Sequence, residues 1–296
     1  MAAIKRKLVG GKTYYYLEHS FRKNGKTVTI EKYLGVRLPK ELDSLKEELI
    51  SEARKQNWFG LFDKIMKGYA AEQRLIPASA RIKETETFAV RFTYDTQRME
   101  GSTLTLRETA DLLERGVTPE GRPLRDVKEA EAHQKVFYEM LEHKGELSLN
   151  IILGWHRQLF SSTKPDMAGK VRQHQVRISG SKFVPPAPFE VYPRLTEFFK
   201  WYERNKLRLH SVELAALVHL RLVTIHPFSD GNGRISRLAM NFVLYKRGFP
   251  MLDIPYSKRN SYYNALERSH MSGKDAPFVN WFFGRYLKEN RSYIRD

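Results

Sequence analysis

The chain has 296 residues, no cysteine, and 51 Lys+Arg against 34 Asp+Glu, for a formal net charge of +17. That length allows one large domain or a main domain with small additions, and the absence of cysteine excludes disulfides and thiolate metal sites. No run of about eighteen apolar residues appears, and the opening MAAIKRKLVGGK lacks the apolar core of a secretory signal, so the expectation is a soluble cytoplasmic protein with no membrane partner. The positive excess favours anionic partners such as nucleotides, nucleic acid or acidic protein surfaces, without choosing among them.

Residues 1–37 are expected to form a basic N-terminal β-hairpin. Ten basic residues and only Glu18 and Glu31 as acids fall within residues 1–40. Tyr14, Tyr15, Tyr16, Phe21, Val28 and Ile30 have strand propensity, and Asn24-Gly25 is the pair preferred in a two-residue hairpin turn. Tyr15, Leu17 and Phe21 share one face and call for a packing partner. The hairpin fits a nucleic-acid or partner-binding surface, and equally a solvated cover or a homodimer contact.

Residues 38–87 read as a helical linker region. Leu42, Leu45, Leu49 and Ala53 recur at helical spacing, with a break near 57–60 and a stop at Pro77; 77–87 is expected as a connector. From Phe88 the signals are mostly helical. Thr105 and Glu108 make a capping box and Gly116 a C-terminal stop, which predicts a helix over 106–115. Further helices are expected over 123–143, 149–160 after Ser148, 193–202 from Pro193, one opened by Ser211, one ending near Gly248, 256–271 and 276–288. Residues 173–184 interrupt this series. Val176 and Ile178 alternate with polar residues, Ser179-Gly180-Ser181 supplies a turn and Pro185-Pro186 a stop, so a short exposed hairpin with open edges is expected.

The stretch HPFSDGNGRISR, His226 to Arg237, carries the chemistry. Gly231-Asn232-Gly233 can turn successive amides toward one anion, and the helix that starts here adds its N-terminal dipole, which makes a phosphate seat. Asn232 can donate to the same phosphate. Arg234 and Arg237, three apart, can grip the outer phosphates of a triphosphate in fork geometry. Asp230 at the edge of the seat can hold Mg2+, or Mn2+ in its place, bridging phosphate oxygens. His226, forced out of the preceding helix by Pro227, can take a proton from an attacking hydroxyl. A single histidine at a helix end, an Asp-Gly-Asn-Gly turn and two arginines at helical spacing each have ordinary structural explanations. Their joint occurrence in twelve residues does not.

HPFSDGNGR agrees at every fixed position with the HPFx(D/E)GN(G/K)R motif of Fic-domain proteins, and the resemblance extends over about residues 88–290, including AGKVR at 168–172; 291–296 is a tail. The resemblance implies a mainly α fold: a helical bundle with one short β-hairpin flap, here joined to the small N-terminal hairpin and long helix. It implies transfer of AMP from ATP to a Ser, Thr or Tyr hydroxyl of a protein, the chain itself included, with release of pyrophosphate. His226 would be the base, Asp230 the Mg2+ ligand, and the 231–233 amides with Asn232 the holders of the α-phosphate. Arg234 and Arg237 would bind the β- and γ-phosphates. Val176, Arg177 and Ile178 would line the flap on which the target segment docks.

Thr96, Glu100 and Gly101 fit the (S/T)xxxE(G/N) pattern of the family's inhibitory helix, expected near 94–101. Glu100 would then pair with Arg237 in the γ-phosphate site. Tyr262, Tyr263 and Leu266 are candidate adenine contacts or, equally, aromatic core, and His270 stands where relatives often have Asn. Two alternatives stay open: removal of AMP from a modified protein by the same site with the help of Glu100, and a nucleic-acid-binding regulator acting through the basic hairpin.

Overall fold

The computed structural model describes residues 2–23 and 26–294, and the expected Asn24-Gly25 turn lies outside them. The chain divides into two compact units, residues 1–67 with 293–296, and residues 68–292. Residues 38–87 are therefore shared between the two. No helix among the described residues is long and apolar enough to cross a membrane.

In the first unit a three-stranded antiparallel sheet stands where a hairpin was expected: β1 (Ala3–Val9), β2 (Lys12–Lys23) and β3 (Lys26–Gly35), with β2 central. β1 carries AIKRKLV, a run with little of the apolar alternation that marks a strand; it forms because β2 offers it a full ladder from Ala3↔Glu18 to Val9↔Lys12. A bulge at Tyr15/Tyr16 shifts the β2–β3 register. Leu17 is fully buried, and with Leu49, Ala53, Phe62 and Ile65 it makes the small core of this unit. On the face that includes Tyr14, Tyr16 and Tyr33, Lys5 and Lys7 are paired with Glu18 and Glu31. The local positive charge is thus partly neutralised there. Helix α1 (Leu42–Arg54) leads through one π turn at 55–59 into α2 (Gly60–Leu75), so the expected break is an extra-wide turn and the helix runs on past it.

The second unit is a helical bundle. Its first helix, α3 (Ala78–Met99), absorbs the expected connector at 77–87. That stretch is mostly exposed and carries no apolar stripe to betray it. Pro77 precedes α3, and the Thr85 and Thr87 hydroxyls donate back to the carbonyls of Arg81 and Lys83. Helix α4 (Leu106–Arg115) has the capping box in both directions and a left-handed Gly116 at its end. Then come α5 (Leu124–Glu142), α6 (Leu149–Phe160), α7 (Pro188–Asn205), α8 (Ser211–Ile225), α9 (Asn232–Lys246), α10 (Arg259–Ser272) and α11 (Ala276–Glu289). Helix α7 starts five residues earlier than expected, because Pro188 sits at N1 and the Glu190 carboxylate accepts from Ala187 N. Pro193 is close enough to that start for the helix to pass through it.

Helices α8 and α9 form the centre. Twelve residues of each are buried, among them Leu214, Val218, Leu222, Ile235, Leu238 and Phe242. Helix α8 is apolar on most faces and belongs in a core, whereas α9 buries Arg234 and Arg237 beside its apolar residues. The pair is joined by the short loop that carries the motif, so the motif is held from both sides by buried helices.

Candidate active site

His226 caps the end of α8 in a left-handed conformation, φ 52°, the one positive φ among described non-glycine residues. Histidine tolerates this region better than most side chains. Here its backbone is fixed at both ends. His226 N donates to Leu222 O at 3.0 Å, and Arg172 Nε donates to His226 O at 2.8 Å. Arg172 also donates to the carbonyls of His174 and Pro186. The His226 ring places Nδ1 3.2 Å from Val223 O. A carbonyl only accepts, so Nδ1 carries the proton and the Nε2 lone pair is free to act as a base. Burial pushes the His226 pKa below 6.5, with the Val223 carbonyl opposing in part. The neutral, basic form therefore dominates at neutral pH.

The loop after His226 is closed by its own side chains. Phe228 N donates to Asn232 Oδ1 and Asn232 Nδ2 donates to Phe228 O, both at 2.8 Å. Asn232, expected to donate to phosphate, is here a buried clasp of the loop. Phe228 is fully buried and stacks on His156, 3.9 Å between ring centres. Gly169 N donates to His156 Nδ1, and the other ring nitrogen donates to Asp230 O. Burial holds His156 down to about 4, so it stays neutral and serves as a spacer between two loops. Gly231 has φ 79°, and an added Cβ would lie 2.5 Å from the Phe160 ring, so no other residue fits. At Gly233 the close neighbour is a side-chain end: a Cβ there would lie 2.5 Å from Glu100 Oε1. The Glu100 carboxylate thus lies against the first turn of α9, where backbone N–H groups have no intrahelical partner.

The two motif arginines are buried and already engaged. Arg237, 2% exposed, donates through Nη2 to Glu100 Oε1 at 2.6 Å, and through Nε to the Thr96 hydroxyl. The expected Glu100–Arg237 contact is therefore present, with Thr96 as a second partner. Gly101, φ 94°, ends α3 so that Glu100 can point back at the site. Arg234 donates to Glu129 Oε2, to Gln97 Oε1 at 3.2 Å and to Asp230 Oδ1 at 3.1 Å, with its guanidinium over the Phe160 ring. Asp230 also accepts from Gly231 N and from Lys164 Nζ. Burial opposes its ionisation, but Arg234 and Lys164 overcome this and hold it down to about 2. Among the described residues no group of three or more His, Cys, Asp or Glu is placed to hold a metal. A carboxylate such as Asp230 suits a hard cation that takes its remaining ligands from phosphates and water.

The other expected contacts divide. Tyr262 is core: it is 1% exposed, with its hydroxyl 3.0 Å from His219 Nε2. Leu266 is also buried, while Tyr263 is 42% exposed and donates to Met99 O. His270 stacks on Phe183 at 4.1 Å and is held to about 4 by burial. Residues 173–187 are extended with a turn at Gly180 but form no strand ladder. Side chains do the ladder's work. The Glu267 carboxylate accepts from Ser181 Oγ and Lys182 N, and Gln175 Nε2 donates to Pro185 O. Two consecutive prolines without N–H groups leave the returning arm few donors. Val176 and Ile178 are half-buried and Arg177 is exposed. Nothing in the sequence pattern singled out Glu129, Lys164 or His156; each acts across more than sixty intervening residues.

Residues 146–244 match the Fic/DOC family. The chain is 35% identical over 192 residues to the protein adenylyltransferase Fic of Drosophila ananassae, a match covering 64% of this chain and 38% of the relative. It thus spans well under half the length of the curated relatives it matches. Its fold is similar to a Fic-domain-containing signaling protein from Bacteroides thetaiotaomicron, with TM-score 0.71 and 27% identity, covering 79% of this chain and 96% of the other. It is likewise similar to Fic-1 (134–508) from C. elegans, with TM-score 0.68 and 26% identity, covering 86% and 76%.

Proposed function

We propose, from the match of residues 146–244 to the Fic/DOC family, that the chain is a protein adenylyltransferase restrained by its own Glu100. It takes ATP as donor and a Ser, Thr or Tyr hydroxyl of a protein as acceptor. His226 Nε2 removes the hydroxyl proton as the oxygen bonds to the α-phosphorus, the bond to the β-phosphate oxygen breaks, and pyrophosphate leaves. The α9 N-terminus and Arg237 stabilise the phosphate charge, and positioning does most of the remaining work. Mg2+ held by Asp230 would supply charge neutralisation between phosphate oxygens. The open arms of residues 173–185, at Val176, Arg177 and Ile178, suit main-chain pairing with an extended target segment.

One observation carries the reading of restraint: the Glu100 carboxylate lies on Gly233 and on Arg237, two groups that the triphosphate needs. With Glu100 in place Arg237 already has its anion, and a nucleotide must compete for it. The test uses α-labelled ATP with Mg2+ and three proteins. Label transfer is expected to be strong with Glu100→Gly, weak with wild type and absent with His226→Ala in the Glu100→Gly background. Undiminished labelling without His226 rejects it as the base.

Glu100 also supports a second reading, removal of AMP from a modified protein. Its side chain is 24% exposed, and so it can reach a water at the mouth of the site. Release of AMP from a pre-modified protein that stops in Glu100→Gly supports this reading; release that continues rejects it.

A further inference from the structure

Beneath the motif four charges form a closed group. Glu129 and Asp230 are the acids, Arg234 and Lys164 the bases. Arg234 is 1% exposed and touches both acids, so it is fixed. Lys164 is different. It sits on the turn after α6, its side chain is 27% exposed, and its ammonium contacts Asp230 Oδ2 while lying 3.6 Å from Glu129 Oε1. The Phe160 ring lies 5.0 Å from its Nζ. Asp230 Oδ1 is already taken by Gly231 N and Arg234. Lys164 therefore occupies the one oxygen of Asp230 left for a divalent ion.

We propose that Lys164 is a positioning residue, a built-in cation that makes ion binding at Asp230 conditional on nucleotide. In the nucleotide-free protein it neutralises Asp230. When an ion arrives with phosphates, Lys164 moves across to Glu129, whose Oε1 already accepts from Thr163 Oγ1 at 3.3 Å and lies close enough for a change of side-chain rotamer. A bare divalent ion brings two positive charges to a group whose two acids are already matched by Arg234 and Lys164. An ion that carries triphosphate oxygens brings its own negative charge, which these bases then stabilise. This inference rests on the reading of Asp230 as the ion-binding carboxylate.

The experiment is Mn2+ titration of the full chain by electron paramagnetic resonance, with and without a non-hydrolysable ATP analogue. The proteins are wild type, Lys164→Ala, Lys164→Met, Lys164→Arg and Asp230→Asn, each checked by thermal melting; the Met variant keeps the stem over Phe160 and guards against misfolding. Without nucleotide, the Ala and Met variants are expected to bind Mn2+ at least about tenfold more tightly than wild type, because a single adjacent charge shifts a carboxylate by one pKa unit or more. Lys164→Arg is expected to stay as weak as wild type. With the analogue the difference narrows to below about threefold. Equal Mn2+ affinity of wild type and both neutral variants without nucleotide overturns the inference. If Asp230→Asn nevertheless loses ion binding in the presence of the analogue, the reading of Asp230 survives; if it does not, both fail.

Discussion

Glu100→Gly probes the restraint directly. It removes one charge-assisted hydrogen bond of 2.6 Å and leaves Arg237 with Thr96. Such a bond contributes about 1.5–3 kcal/mol, and the partial exposure of Glu100 favours the lower end. A nucleotide no longer has to displace that bond, so the rate of self-labelling from α-labelled ATP at sub-saturating concentration should rise about tenfold, and at most about a hundredfold. The same change should weaken the nucleotide-free protein by about 1–3 kcal/mol, because Arg237 stays buried with a lost partner. For a unit of this size that lowers the melting temperature by roughly 2–12 °C, and ATP should restore more of it in the variant than in wild type. Glu100→Gln, whose amide oxygen still accepts from Arg237, should fall between the two. A lower melting temperature with an unchanged labelling rate would refute the argument, since Glu100 would then be a stability device alone.

Four further outcomes follow from the geometry. His226→Ala in the Glu100→Gly background should cost about 10²–10⁴ in transfer rate while ATP still shifts the melting temperature, and loss of both would remove His226 from the chemistry. Burial sets the His226 pKa below its ordinary value, so the acid limb of the rate profile should lie below pH 6.5; a limb centred above it contradicts a neutral base. His133, His156 and His270 are held to about 3, 4 and 4 chiefly by burial. The unfolded chain then binds more protons, so stability is full above about pH 6.5 and falls as pH drops toward 4, and a flat melting temperature between pH 7 and 5 would disprove it. Arg234→Ala removes the buried partner of Glu129 and leaves it only Lys164 and Thr163, which should cost about 1–3 kcal/mol, read as a melting-temperature loss even without nucleotide; a loss seen only with ATP present would make Arg234 a phosphate ligand first.

Much was written locally. The capping box at Thr105 and Glu108 and the stop at Gly116 set α4 to the residue, because each needs only its neighbours in the chain. The same holds for the order of histidine, turn and arginines in residues 226–237, and for the glycine at 231, which a left-handed turn demands. Strand β1 was not legible, since its ladder is supplied by β2 and not by its own pattern. Nor was the helical run over 78–87, which is exposed and leaves no periodic trace.

The sequence by itself determined which chemical groups are available: a histidine at a helix end, a carboxylate, a glycine-rich turn and two arginines. Tertiary structure decided what each of them touches. Arg234 meets Glu129 at a sequence separation of 105, Asp230 meets Lys164 at 66, and Arg237 meets Glu100 at 137. These partners meet only once helices α8 and α9 have packed, and exclusion of water then strengthens each pair, because the strength of a pair depends on the dielectric around it. The motif thus supplies groups of the kind a triphosphate would use, and the fold around it determines that Arg237 already holds the Glu100 carboxylate and Asp230 the Lys164 ammonium.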